Sequence, residues 1–352
     1  MSASSIGIAG AGLLGRLLAW RLAQQGLRVA VFDPAPGPAP RFDGHGAAGF
    51  SAAGMLSPTA ELDSGGPEIA ELGWRSITLW RGIAAALRRP LLRQGGSLLL
   101  AHRHDLGAAR RVIARLDTCG AWRAPQPLSA ERLAELEPAV RGVAHAWLLA
   151  GEAQVDPVDA LEALCAQSPG VAWHWDRTVT SVDAGMLRLA DGAVHRCALA
   201  IDARGVGART QLPVRGVRGE TVWLHAPGHG LGRPVRLLHP RHRVYLVPRD
   251  PDTVIVGASE IESEDRSEVS LRSAVELMAA AHSVMPSLAE ARIRRLDRNL
   301  RPALPDNLPR IEHLPGLLRI NGLYRHGWLV APALVEDAIA QAIGVALASP
   351  VA

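Results

Sequence analysis

The chain has 352 residues, enough to bury a large core and to form two structural units, and its 48% hydrophobic and 20% charged residues are ordinary for a globular protein. All 38 cationic side chains are arginine, which excludes a lysine Schiff base and any other lysine-centred chemistry. The net charge of +4 is spread out, with groups such as Arg292, Arg294, Arg295 and Arg298 interrupted by acids and apolar residues, so no nucleic-acid groove is expected.

The apolar run Ile6 to Gly10 reads as a short buried strand. The helix after it places Leu14, Leu17, Leu18 and Leu22 on one face, with Arg16, Gln24 and Gln25 outward, and Gly26 ends it. Arg28 to Phe32 forms a second strand that stops at Asp33, which completes a β-α-β unit. Pro34 to Pro40 and Gly44 to Gly54 read as loops. Residues 68–140 read as mainly helical, with Trp74, Ile77, Leu79 and Trp80 among the apolar positions. Asp156 caps a helix that has Pro157 in its first turn. Strands return at Val171 to Trp175, Thr178 to Thr180 and Ala198 to Asp202, and a hairpin joins Val244–Val247 to Thr253–Val256. A later helix is expected with Leu271, Val275, Met278 and Ala281 at spacings of four and three, and a last helix from near Pro332 to near Leu347. The fold class is α/β: a nucleotide unit that returns late in the chain, interleaved with an antiparallel sheet.

Cys119, Cys165 and Cys197 are odd in number and share no metal-ligand spacing, so a reduced, cytoplasmic protein without a metal is expected. The first residues lack the basic start of an export signal, and no run approaches the ~20 apolar residues of a membrane span.

Gly10-Ala11-Gly12-Leu13-Leu14-Gly15 lies between the first strand and the helix. There, backbone N–H groups and the positive helix end can hold a pyrophosphate. Asp33, at the end of the second strand, can accept hydrogen bonds from ribose hydroxyls. These residues serve NAD and FAD alike, so the cofactor must be decided elsewhere.

Phe50-Ser51-Ala52-Ala53-Gly54-Met55-Leu56-Ser57-Pro58, Asn299-Leu300-Arg301-Pro302 and Gly322 to Pro332 stand in an order that makes the whole chain resemble the D-amino acid oxidase superfamily. Its glycine oxidases of the thiamine pathway are the branch it resembles most. The resemblance implies non-covalent FAD, since the last cysteine is Cys197. It also implies oxidation of a primary or secondary amine to an imine that water hydrolyses.

It places Leu13, Leu14, Asp33 and Pro34 on the ADP moiety, Ala53, Gly54 and Met55 along the flavin, and Val179 at the adenine through its backbone. Leu323, Tyr324, Arg325, His326, Gly327, Trp328 and Leu329 form the flavin-embracing segment. Arg301 is the implied clamp for the substrate carboxylate, supplemented by the Tyr245 hydroxyl and by Arg325. Arg243, Glu260 and Trp328 depart from the glycine-oxidase pattern. The two units are expected to be an FAD-binding domain of residues 1–80, 141–210 and 306–352 and a substrate domain of residues 81–140 and 211–305.

A planar guanidinium matches a carboxylate in two-pronged fashion. With a neutral substrate amine, hydride transfer to flavin N5 requires orientation but no side-chain base, so no catalytic acid or base is assigned and His326 is read as packed. The expected reaction takes glycine or a small D- or secondary amino acid to an imine and 2-oxo acid, with ammonia and hydrogen peroxide, and oxygen as the acceptor. Open alternatives are a dehydrogenase passing electrons to a quinone or carrier protein, the oxidase module of an RNA-modifying enzyme, and a non-catalytic flavin- or NAD-binding partner protein. A homo-oligomer is also left open.

Overall fold

The computed structural model describes residues 5–117, 124–238 and 243–346. One layer is a six-stranded sheet in the order Arg310–Leu314, Leu317–Asn321, Leu199–Asp202, Ser5–Ala9, Arg28–Phe32 and Val171–His174. All neighbours are parallel except the first pair, an antiparallel hairpin. Helices Leu13–Gln24, Gly66–Ala86, Pro157–Ala166 and Gly327–Ala346 share a core with this sheet that includes Ile8, Leu18, Trp80, Leu161, Leu318, Val330 and Val335.

The second layer is an eight-stranded sheet in the order Arg292–Ala303, Arg215–His225, Thr253–Gly257, Arg243–Asp250, Val235–Leu238, Ser97–Ala101, His145–Leu149 and Gln126–Leu128. Val235–Leu238 and Ser97–Ala101 are its parallel pair. Alternation along the strands divides its residues between two faces. Val222, Leu224, Val254 and Val256 pack against Leu277 and Ala281 of helix Leu271–Val284, whereas Trp223, Val247, Ile255 and Tyr245 face the other way, toward Ala53 and Met55.

The expected β-α-β unit, the Asp156 cap and the hairpin are all present. Asp156 Oδ1 accepts from the Val158 and Asp159 N–H groups at 3.0 and 3.2 Å. Four readings need correction.

Residues 68–140 are mainly helical, in Gly66–Ala86, Leu106–Leu116 and Ala130–Leu136, but the reading omits Ser97–Ala101, a fully buried strand of the larger sheet whose uniform apolar run carries no period to separate strand from helix. His145–Leu149, placed above with the nucleotide unit, hydrogen-bonds into the same larger sheet.

Helix Leu271–Val284 buries Ala274, Leu277, Ala281 and Val284, leaving Leu271 and Val275 exposed. The two stripes share the same spacing, and the sheet beneath the helix selects one of them.

Arg16 does not point outward but is 2% exposed. Backbone carbonyls satisfy it: Nε donates to Ala11 at 2.8 Å, Nη1 to Leu161 at 2.8 Å and Nη2 to Pro38 at 2.9 Å, and the guanidinium also lies 5.3 Å from the Phe50 ring.

The last helix begins at Gly327, not Pro332, so Pro332 lies inside it. The missing N–H of Pro332 would otherwise bond to Trp328, and the indole Nε1 of Trp80 donates to that carbonyl at 2.9 Å instead. The expected end near Leu347 lies outside the described residues, as does Cys119.

Candidate active site

A cavity of about 970 Å³ runs between the two sheets, at the upper end of the range for small-molecule and cofactor sites. At one end, Gly10, Gly12, Leu13 and Leu14 line it. Gly12 caps helix Leu13–Gln24 with no side-chain hydrogen bond, which leaves first-turn N–H groups for an anion. Gly15 does not line the cavity. A Cβ there would collide with the Gly10 carbonyl oxygen, so this third glycine allows the helix to sit close under the loop.

Asp33 Oδ2 accepts from the Ala11 N–H at 2.6 Å and Oδ1 from the Ala35 N–H at 2.8 Å, which pins the carboxylate beside the loop with lone pairs to spare. Pro34 and Val179 also line this end. The Val179 carbonyl accepts from Arg204 Nη1 at 3.1 Å, and Arg204 is itself paired with buried Asp202 at 2.6 Å.

Ala53, Gly54 and Met55 line the middle. Facing them are Leu323, Tyr324, Arg325, His326, Gly327, Trp328 and Leu329, which bring the N-terminus of the last helix to the same space. Trp328, buried, donates from Nε1 to the Gly49 carbonyl at 3.0 Å and stacks on Trp80 with centroids 5.4 Å apart. Thr221 Oγ1 is buried on the sheet side with no hydrogen-bond partner among the described residues. The open N–H groups of the first helix, the ribose-side acid and a second helix N-terminus beside the middle of the cavity together suit a long flavin dinucleotide.

Arg301 lies near the end of strand Arg292–Ala303. Its side chain passes over Gly219, where a Cβ would strike the guanidinium. Nη2 donates to the Ser259 carbonyl at 3.0 Å and Nη1 to that of Arg218 at 3.4 Å. Ser259 Oγ donates to Glu220 Oε2 at 3.0 Å, and Arg218 is paired with Glu220 at 2.7 Å, so both carbonyls belong to one buried frame. Arg301 has no carboxylate in ion-pair range among the described residues, in contrast to its neighbours. Partly buried Tyr245 places its ring over Gly257. Burial raises its phenol pKa, opposed by the charges of Arg301, Arg236 and Arg249.

Arg325 lines the cavity with its donors already engaged. It meets Glu61 at 2.8 Å and Glu260 at 3.5 Å and donates to Ser64. Burial would raise the Glu61 pKa, but Arg325, His326 in its protonated form and Arg236 outweigh it and hold the carboxyl at about 2. His326 Nδ1 lies 3.4 Å from Glu61, and burial lowers its pKa to about 4, so the ring is neutral at physiological pH. Tyr324 has φ of +47°, a left-handed conformation costing a non-glycine residue about 1–3 kcal/mol. Its N–H donates to the Pro302 carbonyl at 2.8 Å, which ties this segment to the clamp strand. Burial and Glu260 push its phenol up to about 12.

Arg16, Glu61 and Arg236 were missed as site residues, and Glu260 was noted only as a departure. Arg236 reaches the site through strand pairing with Tyr245, a register that no local motif encodes.

The chain matches the family described as DAO, FAD dependent oxidoreductase, over residues 5–340. It belongs to that family and is an FAD-dependent oxidoreductase. It is 37% identical over 334 residues, 93% of each chain, to a thiamine biosynthesis oxidoreductase, ThiO, of Rhizobium etli. A glycine oxidase of Geobacillus kaustophilus is 26% identical over 369 residues, covering 95% of this chain and 92% of that one. The crystal structure of the Geobacillus kaustophilus glycine oxidase superposes with a TM-score of 0.81 at 25% identity, over 97% of this chain and 95% of that one. The Bacillus cereus glycine oxidase structure gives a TM-score of 0.84 at 19% identity over the same shares, a likeness of fold. No described helix is long and apolar enough to cross a membrane.

Proposed function

We propose that the protein oxidises glycine or a similarly small D- or secondary amino acid at its C–N bond. The products are an imine, hydrolysed to a 2-oxo acid with ammonia from a primary amine or an amine from a secondary one, and hydrogen peroxide formed with oxygen as acceptor. The name of the Geobacillus kaustophilus relative supports this substrate class, and that of the Rhizobium etli relative supports a role in thiamine biosynthesis.

One observation carries the reading. Arg301 lines the cavity beside Tyr245, its hydrogen bonds go to two backbone carbonyls, and it has no ion-pair partner among the described residues, so its charge remains for a ligand carboxylate. FAD, when bound, supplies a ring that accepts hydride.

The chain's own residues do the rest. In this reading Arg301 grips the carboxylate, and the Tyr245 hydroxyl donates beside it. Neutral His326 and ionised Glu61 keep the charge of the facing wall fixed at neutral pH. The N-terminus of helix Gly327–Ala346 favours negative charge developing next to it. Catalysis is then orientation in a partly dry cavity, with the substrate amine entering the reaction neutral.

A peroxide-coupled screen of purified yellow protein against glycine, sarcosine, D-alanine, D-proline and larger D-amino acids tests this. Peroxide is expected with the small substrates. Flavin bleached by substrate but not recovered in air would replace oxygen with another electron acceptor.

A further inference from the structure

A second guanidinium faces the substrate half of the cavity. Arg236, on strand Val235–Leu238, stands in register with Tyr245, and Tyr245 with Gly257 on the next strand. From the other edge of the sheet, Arg301 reaches across Gly219 to the Ser259 carbonyl. The two arginines thus approach the Tyr245 hydroxyl from opposite sides, and both charges act on it.

The donors of Arg236 are open. Its Nε is buried with no partner among the described residues. Its one ionic contact, Nη1 to Glu61 Oε1 at 3.6 Å, is too long for a hydrogen bond, and Glu61 is already engaged by Arg325 at 2.8 Å. Glu152 is engaged elsewhere, accepting from Ser97 Oγ at 2.5 Å and from the Ala60 N–H at 3.1 Å, and it makes no ion pair with Arg236 within 4 Å among the described residues. A partly buried planar fork with unfilled donors is built for a carboxylate.

We infer that Arg236 forms a second anion subsite, which takes the distal carboxylate of an amino diacid while Arg301 holds the α-carboxylate. The inference rests on the Arg301 reading above and narrows its substrate class to small amino acids with room for a second acidic group.

The test uses holoenzyme, with FAD content and melting temperature checked for each variant. Steady-state kcat/KM is measured for glycine, D-alanine, D-aspartate and D-glutamate in the parent, in Arg236→Met, which keeps the stem, and in Arg236→Lys, which keeps the charge. At least one diacid is expected to exceed D-alanine in the parent. The ratio of diacid to glycine kcat/KM should fall at least tenfold in Arg236→Met, mainly through KM, and less in Arg236→Lys. A parallel titration follows flavin absorbance with succinate, glutarate and acetate. The diacids should bind at least tenfold more tightly than acetate in the parent and lose that margin in Arg236→Met.

If glycine is oxidised but diacids neither react nor bind better than acetate, the subsite is wrong and the parent reading stands. An unchanged ratio and margin in Arg236→Met overturns the subsite equally. If no amino acid is oxidised, the parent reading fails and the dicarboxylate titration still decides the subsite.

Discussion

Arg16 Nε donates to the carbonyl oxygen of Ala11 at 2.8 Å, from a side chain that is 2% exposed. A trans peptide carries its N–H opposite its C=O, so holding the Ala11 carbonyl turns the Gly12 N–H away from Arg16. The Ala11 N–H is held at the same time by Asp33 at 2.6 Å. One arginine and one aspartate therefore set the two peptide planes of the loop that meets the cavity, and Arg16 places a buried positive charge behind that loop.

Arg16→Met is accordingly expected to weaken FAD binding at least tenfold, the scale of about 1.5–3 kcal/mol for a lost charged hydrogen bond. Titration of apoprotein with FAD, and with ADP to isolate the pyrophosphate half, checks this. Equal affinities in variant and parent would remove Arg16 from the cradle.

Asp33→Ala should also weaken FAD retention, because it frees the Ala11 N–H and removes the ribose-side acceptor. Relative kcat/KM values among amino acids should be unchanged, since Asp33 lies at the other end of the cavity. A shifted substrate order would contradict this division of the cavity.

Trp80→Phe keeps the ring but strands the Trp328 carbonyl that Pro332 leaves unbonded. A buried acceptor without a partner costs about 1–3 kcal/mol, so the variant should unfold at lower temperature and lose FAD more readily on warming. Calorimetry of both proteins reads the difference. A matching transition would mean that the carbonyl is satisfied another way.

Acid should destabilise the protein in two overlapping windows. The His326 pKa falls from an ordinary 6.5 to about 4 on folding. Between those values the unfolded chain binds a proton that the folded chain refuses, so this contribution is complete above pH 6.5 and is lost as pH falls toward 4. Glu61, lowered from 4.5 to about 2, adds a contribution present above pH 4.5 and lost toward pH 2. His326→Gln should flatten the fall between pH 6.5 and 4.5 in thermal unfolding and also shrink the lower part, since the His326 charge helps hold the Glu61 pKa down. Parallel curves across the upper window would assign it to another group.

Much of this was legible in the sequence, because it is local. Gly10, Gly12, Asp33 and the Asp156 cap act through neighbours a few residues away or through one β-α-β unit. The resemblance then supplied Arg301, Tyr245 and the Leu323–Leu329 segment, all of which line the cavity. What was missed depends on long-range geometry. Arg16 looked like a surface cation because its partners include Leu161 and Pro38, and Arg236 enters through cross-strand pairing. Glu61 and Glu260 acquire meaning only when Arg325, far along the chain, folds between them. Ser97–Ala101 hid in a helical region because a fully buried strand shows no alternation.

The account stands on Arg301 as the carboxylate clamp, and anaerobic stopped-flow reduction of the flavin by glycine tests it most directly. Arg301→Ala should keep its FAD and still be reduced, with the half-saturating glycine concentration raised at least tenfold. An unchanged concentration dependence in a variant with a full complement of FAD would contradict the account.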